Sequence, residues 1–283
     1  MNKPYWIIEN FVKELSYTRL ADEVVKQGYD LHRINGDFSK KDIEFLHGKN
    51  VICSGSIEMC KLIKKQLYDS FPVIYSTFEK YLCTRYYPII AQHLFNDQYI
   101  ILPLEYINRN LWKVYAMMGK EASIFIRPDN GEKTFNAEVL DIQDWDEYYD
   151  CSKDLKNELA IISTPKNIVG EWRFVVTKYK EILGVSSYRY QGLTTRIPSA
   201  PSGATYMVQQ ILDLGYYPDS VFCIDICEDS DKNYWVMELT SFSSAGLYEC
   251  KMENIVRRVS EIAQEDYELF SKFNLQTYND PKT

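Results

Sequence analysis

The sequence has little histidine, no paired-cysteine motif and no long apolar run. A membrane-spanning helix needs roughly 20 consecutive apolar residues, and no stretch of the 283 residues supplies them. No secretory leader pattern is present at the start, so the expectation is a cytoplasmic protein with no membrane partner. The only histidines are His32, His47 and His93. All lie in the first third. A site in the remainder therefore lacks a histidine base unless one reaches across, which argues against a Ser-His-Asp triad or a histidine-bearing zinc centre there. Cys53, Cys60, Cys83, Cys151, Cys223, Cys227 and Cys250 form no C-x-x-C pair, and their number is odd. Free thiols in a reducing compartment fit that pattern. Glycine is also sparse, with 12 copies, and no Gly-rich phosphate loop follows the strands read in the first 76 residues, which excludes the dinucleotide and P-loop fingerprints there and leaves a scaffold or substrate platform. A net charge of −8 argues against general nucleic-acid binding. Repeats and low-complexity segments are absent.

What is present begins with alternating strands and helices. Tyr5–Glu9, Asp30–Ile34, Asn50–Ser54 and Pro72–Tyr75 read as short strands. Helical spacing fills Asn10–Gln27, with Gly28 as its stop, and a helix capped by Ser56 runs to about Ser70. The first 76 residues therefore read as a small open α/β unit with parallel strands. Phe78–Phe95 reads as helical segments broken at Pro88. Strands follow at Tyr99–Leu104, Ala122–Arg127, Glu158–Thr164, Gly170–Thr177 and Glu181–Tyr190, with helices at Asn110–Met118 and Asp144–Leu155. Gln191–Gly203 is rich in Gly, Ser, Thr and Pro and reads as a loop or lid. Thr205–Leu214 and the amphipathic Cys250–Phe273 read as helices. The polar tail 276–283 is expected to fray.

The strongest chemical signal is VFCIDICEDSDKNYWVMELTSFSSAGLY, Val221–Tyr248. Two apolar β-prone segments flank a turn at Ser230–Asn233, and each carries one acid. If Asp229 closes the hairpin opposite Tyr234, Asp225 faces Glu238. Phe222, Ile224, Ile226, Trp235, Met237 and Leu239 then share the apolar face. Opposed carboxylates about 5 Å apart repel by roughly 3 kcal/mol at an effective dielectric near 20. A cation between them, or protonation of one acid, relieves this. An oxygen-only ligand set without histidine favours Mg²⁺. In a different register, each acid is simply solvated. Upstream, Arg127 and Lys133 flank the turn PDNG and could meet one anion or stay in solvent. Glu171 and Arg173 alternate on one strand.

FIRPDNGEKTF (Phe125–Phe135), GEWRFVV (Gly170–Val176) and IDICEDSDKNYWVMELTSFSSAGLY (Ile224–Tyr248) resemble, in order and spacing, the ATP-grasp superfamily. They look most like the divergent clade that includes the eukaryotic cell-division-cycle protein acting in translation-initiation complex assembly and many bacterial and phage proteins. The resemblance implies an α/β (α+β) ATP-grasp fold over 77–275, preceded by a small α/β domain over 1–76. It also implies ATP and Mg²⁺ as cofactors. Arg127 and Lys133 would contact the phosphates, and Arg173 the phosphates or an acyl-phosphate. Ser163 and Thr164 would form the adenine hinge, with Glu171 among the nucleotide-binding residues. Asp225, Glu238 and Thr240 would hold the metal. Thr240 stands where the family usually has Asn, so its weaker donor puts a two-metal site in question. The implied activity is carbon–nitrogen (or thiol) ligation through an acyl-phosphate, with a peptide or protein among the candidate substrates. The competing readings are an ATP-binding assembly protein with little turnover and a protein with no nucleotide site.

Overall fold

The computed structural model describes residues 3–10, 14–67 and 75–278. A three-stranded parallel sheet opens the chain. It contains β1 (Tyr5–Glu9), β2 (Asp30–Ile34) and β3 (Val51–Ser54) in the order β2-β1-β3. Helices α1 (Leu15–Lys26), α2 (Lys40–Ile43) and α3 (Ile57–Gln66) connect and flank these strands. The Glu14 side chain accepts from the Ser16 amide at the start of α1, and Ser56 caps α3 by accepting from the Met59 amide. Each satisfies one of the donors that a helix start leaves open. Gly28, at φ +74°, takes the left-handed turn that ends α1. Residues 72–74 of the strand read at Pro72–Tyr75, residues 11–13 of the helix read from Asn10, and residues 279–283 of the polar tail lie outside the described residues.

Next comes α4 (Cys83–Ile90), which carries Pro88 in its last turn and then gives way to a 3₁₀ turn. Pro88 does not break the segment in its middle, because only two helical residues follow it. A four-stranded antiparallel sheet holds β4 (Tyr99–Pro103), β5 (Ser123–Pro128), β6 (Glu138–Asp141) and β7 (Leu159–Ser163) in the order β4-β7-β5-β6. Helices α5 (Leu104–Arg109), α6 (Leu111–Met118) and α7 (Trp145–Cys151) cover one face of it.

The third sheet contains β8 (Gly170–Thr177), β9 (Ile182–Tyr190), β10 (Leu193–Thr194), β11 (Val221–Glu228) and β12 (Tyr234–Ser241). Its order is β10-β9-β8-β11-β12, all antiparallel. Helix α8 (Ser202–Asp213) packs on one face with α4, through Val208, Phe222, Ile224 and Val236. On the other face α9 (Met252–Tyr278) brings Ile255 and Val259 into one core with Trp6 and Ile8 of β1 and Leu20 of α1. The opening unit is thereby joined to the end of the chain by apolar burial, the main favourable term in packing. No described helix is long and apolar enough to cross a membrane.

Candidate nucleotide and metal site

The hairpin β11–β12 places Asp225 opposite Glu238, the pairing the sequence suggests. The rest of its register differs. Tyr234 faces Glu228, not Asp229, because a bulge follows the Asp225–Glu238 pair. Met237 is the residue left over. Val236 therefore joins the core face with Phe222, Ile224, Ile226 and Leu239. Trp235 and Met237 do not: the Trp235 indole donates to Asp229, and the Met237 sulfur lies 3.9 Å from the Tyr188 hydroxyl.

The opposed acids are relieved by cations from two different sheets. From β8, Arg173 forks Asp225 with Nε at 2.8 Å and Nη2 at 2.6 Å, and its Nη1 donates to the Gly246 carbonyl. A two-pronged contact of this kind is among the strong charge-assisted hydrogen bonds. Arg127 donates from β5, in the four-stranded sheet, to Glu238 at 3.0 Å. The second carboxylate oxygen of Glu238 lies 4.0 Å from Arg173. The guanidinium of Arg173 also stands over the rings of Tyr188 and Tyr248, 5.8 and 5.3 Å from their centroids. Those two rings stack 5.1 Å apart.

Burial and charge then act in opposite directions. Burial pushes the Asp225 carboxyl up against the pull of Arg173. Glu238 is partly buried, yet Arg127, Lys133 and Arg173 together hold it below the usual carboxylate range. Glu171, two residues before Arg173 on the same face of β8, is pushed up by burial, with Tyr188 and Arg189 pulling the other way. Its nearest cationic atom is Arg189 Nη1 at 3.5 Å.

Arg127, Arg173, Asp225 and Glu238 thus meet in one charged cluster. Lys133 is exposed, at φ +53° in the β5–β6 connection, and acts on both acids through its charge. Thr240 follows Glu238 by two positions on the same strand face and pairs with Cys223. Ser163 is fully buried at the end of β7, and its hydroxyl has no partner. The Thr164 hydroxyl donates to the Met118 carbonyl at 2.9 Å, which leaves backbone groups as that residue's route to a ligand. A cleft of about 380 Å³ opens beside Thr164, Pro165 and Trp235. Sequence reasoning misses Tyr188 and Tyr248. Tyr248 closes the acidic motif, but nothing in a tyrosine-rich chain marks these two rings as partners of Arg173.

A family model for an ATP-grasp domain, the second family of its clade, matches residues 106–257, just over half of the chain. The chain belongs to that family. Solved structures with the same ATP-grasp fold are distant in sequence. The D-alanine–D-alanine ligase from Bacillus anthracis complexed with ATP is 14% identical with a TM-score of 0.60, covering 94% of this chain and 100% of the ligase. The D-cycloserine synthetase DcsG is 10% identical with a TM-score of 0.60, covering 92% and 99%. The ATP-grasp ligase PsnB complexed with minimal precursor is 9% identical with a TM-score of 0.54, covering 91% and 98%. No curated protein matches the sequence. In this ATP-grasp chain, the four charges therefore lie between the four-stranded and five-stranded sheets of the shared fold.

Proposed function

We propose that the protein is an ATP- and Mg²⁺-dependent ligase that joins a carboxylate to an amine or thiol through an acyl-phosphate. The observation that carries this reading is the convergence of Arg127, Arg173, Asp225 and Glu238 from strands of two sheets, with Lys133 beside them. Arg127 Nε is buried without a hydrogen-bond partner. An unfilled guanidinium donor beside other cations is suited to a phosphate oxygen. In this reading residues 1–76 are a platform for substrate, and 77–275 are the unit that holds ATP.

The donor set fits magnesium. Asp225, Glu238 and Thr240 offer only oxygen and share one face of the hairpin. Among the described residues no third acid, histidine or cysteine joins them, so phosphate oxygens and water would complete the shell, as is usual for Mg²⁺. When bound, the ion would neutralise charge on the phosphates. The chain's own residues do the rest. Arg127 and Lys133 orient the β- and γ-phosphates. Backbone groups at Ser163 and Thr164 receive the adenine, and Glu171 adds a nucleotide contact. Arg173 steadies the acyl-phosphate made when the substrate carboxylate attacks the γ-phosphorus and ADP leaves. The amine or thiol then attacks the acyl carbon, phosphate departs, and the nucleophile's proton passes to solvent. Positioning and fixed charge can supply most of the rate for such a reaction.

A second reading, an ATP-binding assembly protein with little turnover, is favoured by Thr240 in place of the usual Asn. Calorimetric titration of ATP with and without Mg²⁺, followed by a screen for ADP release over paired carboxylates, amines and thiols, separates the two. Acceptor-dependent ADP release supports the ligase. Mg²⁺-dependent binding with no turnover across the screen favours the second reading. No ATP binding under either condition defeats both.

A further inference from the structure

A second cavity, of about 470 Å³, lies on the face of the four-stranded sheet turned away from Arg127. Its volume is within the ~300–1,000 Å³ typical of small-molecule sites. Phe135, Leu140 and Tyr148 form its floor, and Glu138, Asp144 and Glu147 stand around its rim. The floor is fixed. Phe135 and Leu140 are buried in the core beneath the sheet, Phe135 meets Tyr148 edge-on at 6.3 Å, and the Tyr148 hydroxyl donates to the Asn136 carbonyl at 3.0 Å.

The rim differs from the proposed nucleotide site in one decisive way. Asp225 and Glu238 each have a guanidinium partner, whereas the side chains of Glu138, Asp144 and Glu147 have neither an ion pair nor a hydrogen bond among the described residues. A bare metal ion is the wrong occupant, because no three acids, histidines or cysteines come close enough to share one among the described residues. The cavity instead pairs an apolar and aromatic floor with a negative rim. That combination suits a flexible aliphatic chain ending in an ammonium group: the methylenes lie on the floor, and the cation reaches the rim past the face of Tyr148.

We propose that this cavity binds an alkylammonium chain, supplied either by a lysine side chain of a peptide or by a free diamine. Lys133 lines the same cavity while its charge acts on Asp225 and Glu238, so the occupant sits next to the proposed nucleotide site and not inside it. The site stands apart from the ligase reading, since its occupancy is measurable without ATP.

The test is calorimetry on the full-length protein without nucleotide. The titrants are 1,5-diaminopentane and Nα-acetyl-lysine N-methylamide, with pentan-1-ol and acetyl-alanine N-methylamide as controls. The expected result is saturable binding of at least one amine and of neither control, weakened at least tenfold in the Glu138→Gln/Glu147→Gln double variant. Leu155→Trp, which fills the cavity without removing charge, should weaken binding as well. Binding of the diamine alone supports a free small-molecule ligand, and binding of the lysine amide alone supports a peptide. No binding of either amine overturns the proposal. So does binding that survives both variants, because that heat would come from general attraction to an acidic surface.

Discussion

Asp219 and Asp225 are both buried and lie six residues apart, one just ahead of β11 and one in its middle, yet they are satisfied in opposite ways. Asp219 accepts only from neutral donors: the Thr77 amide at 3.1 Å, the Thr77 hydroxyl, and the Tyr81 hydroxyl at 2.9 Å. Burial outweighs those donors and pushes its carboxyl up to about 6. Asp225 is forked by a guanidinium that is itself buried. Neutral donors make Asp219 a fastening between the segment at Thr77–Tyr81 and the central sheet. The ionic partner makes Asp225 half of a charged pair that a ligand can rearrange.

The largest effect expected from breaking this contrast is at Asp225. Asp225→Asn takes from the buried Arg173 its hydrogen-bonded counter-charge and leaves only Glu238, 4.0 Å away, and such losses run to about 3–5 kcal/mol. Urea denaturation should show it, and Arg173→Leu combined with Asp225→Leu should recover much of the loss. A single variant within about 0.5 kcal/mol of wild type, the range of an ordinary surface change, would mean that Arg173 does not depend on Asp225.

Asp219 should respond to pH instead. Its folded carboxyl holds a proton more tightly than the unfolded chain does, where Asp titrates near ~3.9. Its contribution to stability is therefore full below about pH 4 and is lost as the pH rises through about 6. The change over that window is about 3 kcal/mol. Asp219→Asn should remove this slope, so the gap between wild type and variant must differ between about pH 4 and about pH 7, on either side of that window. An equal gap at both would refute the raised carboxyl.

Smaller effects belong to exposed charges. Lys133→Ala should leave stability within about 0.5 kcal/mol and weaken ATP roughly tenfold, equivalent to about 1.4 kcal/mol; unfolding of this variant would make the lysine structural. Glu138→Gln should leave both stability and ATP affinity near wild type, with stability again within about 0.5 kcal/mol. A marked loss of ATP binding in that variant would place Glu138 in the proposed nucleotide site and merge the two sites.

Much of the fold is legible in the sequence, because burial leaves a periodic trace. Gly170–Thr177 is strand throughout in both readings, and Ser56 caps its helix as its position suggests. The facing of Asp225 and Glu238 is legible as well, since two lone acids in β-prone segments can be aligned across a short turn. The partners of those acids are not. Arg127 reaches Glu238 across 111 positions, and Arg173 reaches Asp225 across 52; spacing along a chain carries no record of contacts that depend on how two sheets are stacked. Asp219 escapes notice for the same reason, its donors lying 138 to 142 positions away. Strict alternation puts Trp235 and Met237 on the wrong face because it has no place for an extra residue.

That extra residue gives the hairpin a phase slip. On either side of Met237 the two ladders keep step with β11, so without it Val236 and Glu238 would occupy the same pairings they have now. Met237 adds surface, not pairing. The strand turns a thioether to Tyr188 and, next to it, a carboxylate to Arg127, where a regular strand would turn the two to opposite faces. The acid carries fixed charge, and the sulfur beside it is soft and polarisable, so one short stretch of strand meets an arginine and a tyrosine with two different chemistries.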